Sequence, residues 1–139
     1  MILLHQASCV AIGARALLIE GAPGSGKSSL ALALIDRGAR LIGDDGVRLE
    51  ARQGRLFASP PPNIAGLVEV RNLGLIEMPT VSDMALALVL RFDPEAPRFI
   101  DAAEQTELGG IALPLVRLWP ESPVLAIKAE LALERFGLA

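Results

Sequence analysis

Apolar residues fall in short blocks along the chain, and polar or glycine-rich stretches separate them. Residues 8 to 12 and 16 to 20 are two such blocks, split by Gly13-Ala14-Arg15. That pattern predicts a strand, a turn and a second strand. The second block, Ala16 to Glu20, runs straight into a glycine-rich segment. Ser28 to Arg37 are mostly good helix formers, and Gly38 is a stop signal. This helix is apolar nearly all round, so it is expected to be largely buried. Ala39 to Gly43 is a short apolar run ending at Asp44-Asp45. Val47 to Ala51 and Arg55 to Ala58 flank Arg52-Gln53-Gly54 and predict a hairpin.

Ser59-Pro60-Pro61-Pro62-Asn63 punctuates the chain. Ala85 to Phe92 is a continuous apolar run of strand length, although period alone does not separate it from a buried helix. Asp93-Pro94-Glu95-Ala96-Pro97 is a surface loop. Thr106 to Leu118 holds two short strands around Gly109-Gly110. Pro120 to Pro123 is a further break, and Val124 to Phe136 reads as a closing helix with Gly137 past its end. The sum is one strand-rich α/β domain spanning residues 1–139, with many strands around few helices. Regular strand–helix alternation is missing.

Composition narrows the chemistry. The chain has 139 residues, 52% of them apolar and 21% charged, enough for one core. No apolar stretch approaches the roughly 20 residues that cross a bilayer. Met1 to Leu4 lacks the basic segment and long apolar run of a secretory signal. No membrane association is expected, and the cytoplasm is the expected location. The single cysteine, Cys9, rules out an internal disulfide and sits in a strand-like run, as a buried structural thiol would. A net charge of −3 argues against bulk nucleic-acid binding. Four Phe, one Trp and no Tyr leave little for a base-stacking platform.

One motif carries chemistry. Gly21-Ala22-Pro23-Gly24-Ser25-Gly26-Lys27-Ser28 matches G-x-x-x-x-G-K-S/T at every fixed position. Glycines let the backbone turn tightly, so that successive N–H groups face phosphate oxygens. The following helix, which opens on Ser28-Ser29, turns the positive end of its dipole to the same anion. Lys27 can reach the β- and γ-phosphates, and the Ser28 hydroxyl can coordinate Mg²⁺. Average composition gives this match by chance in about one chain of this length in a few hundred. ATP and Mg²⁺ are therefore the expected ligands. Asp44 and Asp45 follow a strand beside this loop. Carboxylates so placed hold Mg²⁺ or accept a proton from an attacking hydroxyl. A solvated Asp-Asp-Gly turn is the structural alternative.

These stretches together resemble the catalytic domain of HPr kinase/phosphorylase, the bacterial enzyme that phosphorylates a serine of the phosphocarrier HPr. The residues that carry the resemblance are His5, the Gly21–Ser28 loop and Leu34 to Asp45. Val68 to Ile76 and Glu104 to Leu108 add to it. Glu69-Val70-Arg71-x-x-Gly74 after a phosphate loop and an Asp-Asp pair is a specific signature of the family. The resemblance implies a mixed, strand-rich sheet like that of phosphoenolpyruvate carboxykinase. It implies HPr as substrate, inorganic phosphate as co-substrate of the reverse reaction, and a homo-oligomer, hexameric in the family. It also implies roles. Asp45 would be the proton acceptor, Lys27 the phosphate-binding lysine, and Ser28 and Glu69 the Mg²⁺ ligands, with Asp44 beside them. His5 would be the active-site histidine.

The chain departs from the family in three places. Family members carry a separate N-terminal domain, whereas this sequence begins almost at the catalytic domain. It is then either part of a longer chain or one of the reduced forms found in some proteobacteria. The family's second catalytic arginine should fall at Phe99, and Arg98 is the neighbouring candidate. The Lys-x-Gly-Arg segment tied to phosphorolysis is absent; Lys128 is the nearby cation, and a surface lysine of the closing helix accounts for it better. Kinase activity is therefore the expectation over phosphorolysis. Two alternatives stand beside it: a small-metabolite kinase, and a nucleotide-binding sensor without transfer activity.

Overall fold

A computed structural model describes residues 2–62 and 66–139. Asn63, the last residue of the expected proline-rich loop, lies outside the described residues, as does Met1. Among the described residues eleven strands and two helices are formed: β1 (Ile2–His5), β2 (Ser8–Ile12), β3 (Arg15–Glu20), α1 (Lys27–Asp36), β4 (Arg40–Gly43), β5 (Val47–Arg52), β6 (Arg55–Ser59), β7 (Leu67–Val70), β8 (Gly74–Glu77), β9 (Met84–Phe92), β10 (Glu104–Leu108), β11 (Ile111–Leu118) and α2 (Leu125–Phe136). Nine of the strands join one mixed sheet, and β7 and β8 form a separate two-stranded ribbon.

The centre of the sheet is β9. It runs parallel to β3 along one edge, from Ala85 to Arg91. Its other edge is shared. β6 pairs antiparallel with Met84 and Ala85, and β11 pairs parallel with Val89 to Phe92. From β3 the sheet continues through β2 to β4, and from β6 through β5 to β1.

Strands buried on both faces read as unbroken apolar runs, and β3 and β9 do. Leu17 and Ile19 point to one core with Leu30, Ala31 and Leu34 of α1 and Ala129 and Leu133 of α2. Ala16 and Leu18 point to the other, with Leu49, Leu56, Leu113 and Leu115, because the sheet curls so that its own strands cover that face. A bulge between Ala16 and Leu17 pairs them with Leu86 and Leu88, so Ala87 is the extra residue. Ala87 and Leu88 accordingly face the same core. Burial of both faces is why the 85–92 run has no clean strand period.

The structure corrects the expectation that the first helix is largely buried. Only Leu30, Ala31 and Leu34 are buried in α1, while Ser29, Ala33 and Asp36 are exposed. α1 lies against one face of the sheet, and the alanine on its outer side is small enough to face water at little cost. No helix among the described residues is long and apolar enough to cross a membrane.

Cys9 is fully buried in β2, and burial pushes its thiol well above the ordinary range. The native protein at pH 8 should react with a thiol reagent at least ~100-fold more slowly than the protein in denaturant, as only thiolate reacts. A stopped-flow labelling comparison checks this, and comparable rates would place Cys9 at the surface.

Candidate active site

β3 delivers the chain to the glycine loop and α1 carries it away, so the loop sits at the end of a central strand. Gly24 and Gly26 take left-handed backbone conformations, with φ of 76° and 105°. Gly26 is the N-cap of α1, which has no side-chain cap and no acidic residue in its first turn. The first N–H groups of a helix have no partner within it. Here no side chain caps them, and the first turn itself carries no acidic residue. A side chain on Gly21 would lie 2.5 Å from Ser25 Oγ and 3.1 Å from Phe92 Cδ2, so it would have to displace both. Lys27 Nζ donates to the carbonyls of Gly21 and Ala22 at 2.8 and 3.3 Å. Its ammonium therefore rests on the loop itself.

Asp44 ties three parts of the chain together. Ser28 Oγ lies 2.8 and 3.0 Å from its two carboxylate oxygens and donates to it. Ser8 Oγ donates at 2.8 Å and the Glu69 amide at 3.1 Å. Asp45 is exposed, in the left-handed region at φ 58°. Behind the pair, a side chain on Gly43 would collide with the carbonyl of Gly46. The glycine is what lets the Asp44-Asp45 corner close. Across from it, Glu69 and Arg71 on the β7–β8 ribbon are exposed and 3.6 Å apart. Arg71 reaches to 3.8 Å from the position a Gly24 side chain would take. Left-handed Asn72 and Gly74 make the turn after Arg71 and return the ribbon, pairing Gly74 with Val70.

A cleft of about 200 Å³ is lined by Pro23, Gly24, Gly26, Lys27, Ser28, Ser29, Asp44, Asp45, Glu69 and Arg71, and by Ser8. Two of the expected catalytic residues, His5 and Arg98, lie elsewhere, and Lys128 is the surface lysine expected of the closing helix. His5 Nε2 sits 2.8 Å from Glu20 Oε2, outside the cleft lining. Arg98 is exposed in the stretch between β9 and β10, also outside it. Lys128 stands over the Trp119 ring at 5.5 Å, a packing position on α2. Ser8 was missed by sequence reasoning, although a polar residue opening an apolar strand was the available signal. Glu20 and Arg91 were also missed. Arg91 donates to Glu20 Oε1 at 2.9 Å through Nε, and its Nη2 is 2.8 Å away. The signal was a charged residue at the end of each of two apolar strands.

The donors facing the cleft are all oxygens: a hydroxyl and carboxylates, suited to a hard cation. Among the described residues no three His, Cys, Asp or Glu side chains group as a metal cage. Mg²⁺ commonly takes one or two carboxylates and completes its shell with waters and substrate phosphates. Ser28, Asp44 and Glu69 fit that use.

Residues 3–86, more than half of the chain, match the family model described as HPr Serine kinase C-terminal domain. The HPr kinase/phosphorylase of Clostridium tetani is 41% identical over 75 residues, 54% of this chain and 25% of that protein. The Streptococcus thermophilus HPr kinase/phosphorylase is 32% identical over 115 residues, 73% of this chain and 37% of that protein. The matched part thus spans about a quarter to a third of these relatives' length. The solved structure of the Hpr(Ser) kinase/phosphatase from Coxiella burnetii superposes with a TM-score of 0.83 at 26% identity, covering 95% of this chain and 88% of that one.

Burial acts to raise the Glu20 carboxyl, but His5 and Arg91 outweigh it and hold the carboxyl below the usual carboxylate range. A carboxyl depressed on folding stabilises the protein above its unfolded value of about 4.3, and that contribution is lost as pH falls through the folded value. Glu20→Gln should therefore melt a few degrees below wild type at pH 7. The gap should close below the ordinary carboxylate range. Melting curves across pH 3 to 7 check this, and a pH-independent gap would contradict it.

Proposed function

This chain belongs to the HPr Serine kinase C-terminal domain family, and on that premise we propose that it transfers the γ-phosphoryl group of ATP to a serine hydroxyl of the phosphocarrier protein HPr. The observation that carries the reading is the Asp44 corner. It fixes the first turn of α1, the start of β2 and the β7–β8 ribbon around one cleft, and it leaves Asp45 free at the lip.

The triphosphate lies along the open amides of the glycine loop and the first turn of α1. Lys27 exchanges the loop carbonyls for phosphate oxygens. Ser28, Asp44 and Glu69 would hold Mg²⁺, which when bound neutralises triphosphate charge. Asp45 accepts the proton of the serine hydroxyl as its oxygen bonds to the γ-phosphorus. The bond from that phosphorus to the β–γ bridging oxygen breaks, and ADP leaves. Arg71, above the loop, offers a planar cation to the transferring group. Positioning and charge do most of the work in such a reaction.

Inorganic phosphate as acceptor in the reverse direction is the weaker half of the proposal. Arg98 lies outside the cleft and Lys128 packs on Trp119. The same two observations favour, as a second reading, a nucleotide sensor that binds ATP without transferring its phosphate. Labelled ATP with HPr separates the readings, because the sensor gains thermal stability from ATP and yields no labelled product.

Asp45→Asn should lower phosphoryl transfer to HPr by about 10²-fold or more, the usual weight of a general base. Its ATP affinity should stay within about threefold of wild type, because the triphosphate lies on the loop. Single-turnover assays and calorimetry check the two halves. Transfer at the wild-type rate removes Asp45 from the chemistry.

A further inference from the structure

The loop that faces the cleft has a second side, and that side rests on the end of β9. The parallel register pairs Glu20 with Arg91, which brings Gly21 beside Phe92. Phe92 is 9% exposed. Its Cδ2 and Cβ would lie 3.1 and 3.3 Å from a side chain on Gly21, and its Cε2 4.0 Å from one on Gly26. One ring thus underlies both ends of the glycine loop. Ser25 Oγ would lie 2.5 Å from the same Gly21 side chain, and its hydroxyl is buried and without a partner among the described residues. Only van der Waals contact holds the ring and the loop together.

Arg91 acts one residue earlier. Its guanidinium makes two contacts to Glu20 Oε1, at 2.8 and 2.9 Å, while His5 Nε2 takes the other carboxylate oxygen at 2.8 Å. Glu20 is the last residue of β3, so this grip fixes the peptide from which the loop departs. The Glu20 side chain is only 15% exposed, and both of its oxygens are occupied. None of Glu20, Arg91 and Phe92 lines the cleft.

We propose that Arg91 and Phe92 are positioning residues for phosphate binding: Phe92 supports the loop from beneath and Arg91, through Glu20, sets its point of departure. The inference rests on nucleotide binding by this loop. It assigns to the end of β9 the shape of the amide cradle, while the amides themselves make the contacts. Displacing a cradle by about an ångström costs on the order of a hundredfold in a positioned reaction.

The 139-residue chain and the variants Phe92→Leu, Phe92→Ala and Arg91→Met are titrated calorimetrically with ATP, ADP and tripolyphosphate. Hydrogen exchange of the amides of residues 21–26 is followed without ligand. Phe92→Ala and Arg91→Met should bind ATP and tripolyphosphate about ten- to a hundredfold more weakly, by the same factor for each, since the phosphate chain alone feels the cradle. KM for ATP should rise by that factor, with kcat changed much less. Phe92→Leu keeps an apolar side chain under the loop and should recover most of the affinity. The loop amides should exchange faster in the weakened variants. If Phe92→Ala does not fold, Phe92→Leu against Arg91→Met carries the comparison. Melting temperatures that fall while affinities and loop exchange stay at wild-type values would overturn the proposal. A wild-type chain that binds neither ATP nor tripolyphosphate would sink the functional reading. In that case the exchange data still decide whether the end of β9 shapes the loop.

Discussion

The carboxylate of Asp44 accepts hydrogen bonds from Ser8, Ser28 and the Glu69 amide, and the rest of the cleft is arranged around it. These partners come from the start of a strand, the first turn of a helix and a separate ribbon. No other side chain among the described residues links those three pieces at the cleft. A carboxylate with several donors is held in one orientation, which fixes the distance from the loop to the ribbon. It also costs little to keep half-buried, since its charge is shared among donors.

Beneath this polar junction lies an apolar one. β3 and β9 are buried on both faces, and their parallel pairing sets the height at which the glycine loop leaves the sheet. Helices lie on one side and the curled strands on the other, so neither strand can shift without disturbing a packed core. The loop therefore rises from the most constrained part of the molecule, while the ribbon opposite it is the least covered. A rigid floor and a lightly held wall make up the cleft.

Much of this was legible in the chain. β2, β3, α1, the β5–β6 hairpin, β9, β11 and α2 follow from apolar blocks and glycine punctuation. The loop from Gly21 to Ser28 could be read because each fixed position has its own backbone or charge requirement. Three things were less visible. β1 is four residues with alternating partial burial, too short to signal itself. β8 is exposed along its whole length, so hydrophobic patterning had nothing to report. β10 begins at Glu104, earlier than the apolar residues suggest, because Glu104 to Glu107 are polar and pair through the backbone. At the site, Asp44 and Asp45 were legible as a pair. Their division into a buried-side anchor and an exposed lip depends on Ser8 and on Asp45's left-handed backbone, which only three dimensions supply. His5 was expected at the cleft and lies against Glu20, because the curl of the sheet carries β1 past the strand end.

The β7–β8 ribbon has a consequence for how the molecule breathes. Two strands alone are marginal in water, and this pair exposes Leu73 and Leu75 at 74% and 65%. Its anchorage is its packing on α1 and the Glu69 amide on Asp44, while the Met78 amide bonded to the Gly66 carbonyl closes its own base. Val68 is its one fully buried apolar side chain, so opening the ribbon would uncover little apolar surface and cost little free energy. Glu69 and Arg71 both sit on this ribbon, whereas the loop and Asp45 belong to the main sheet and α1. A ligand that touches both the loop and the ribbon would add to this light anchorage and favour the arrangement in which the ribbon walls the cleft.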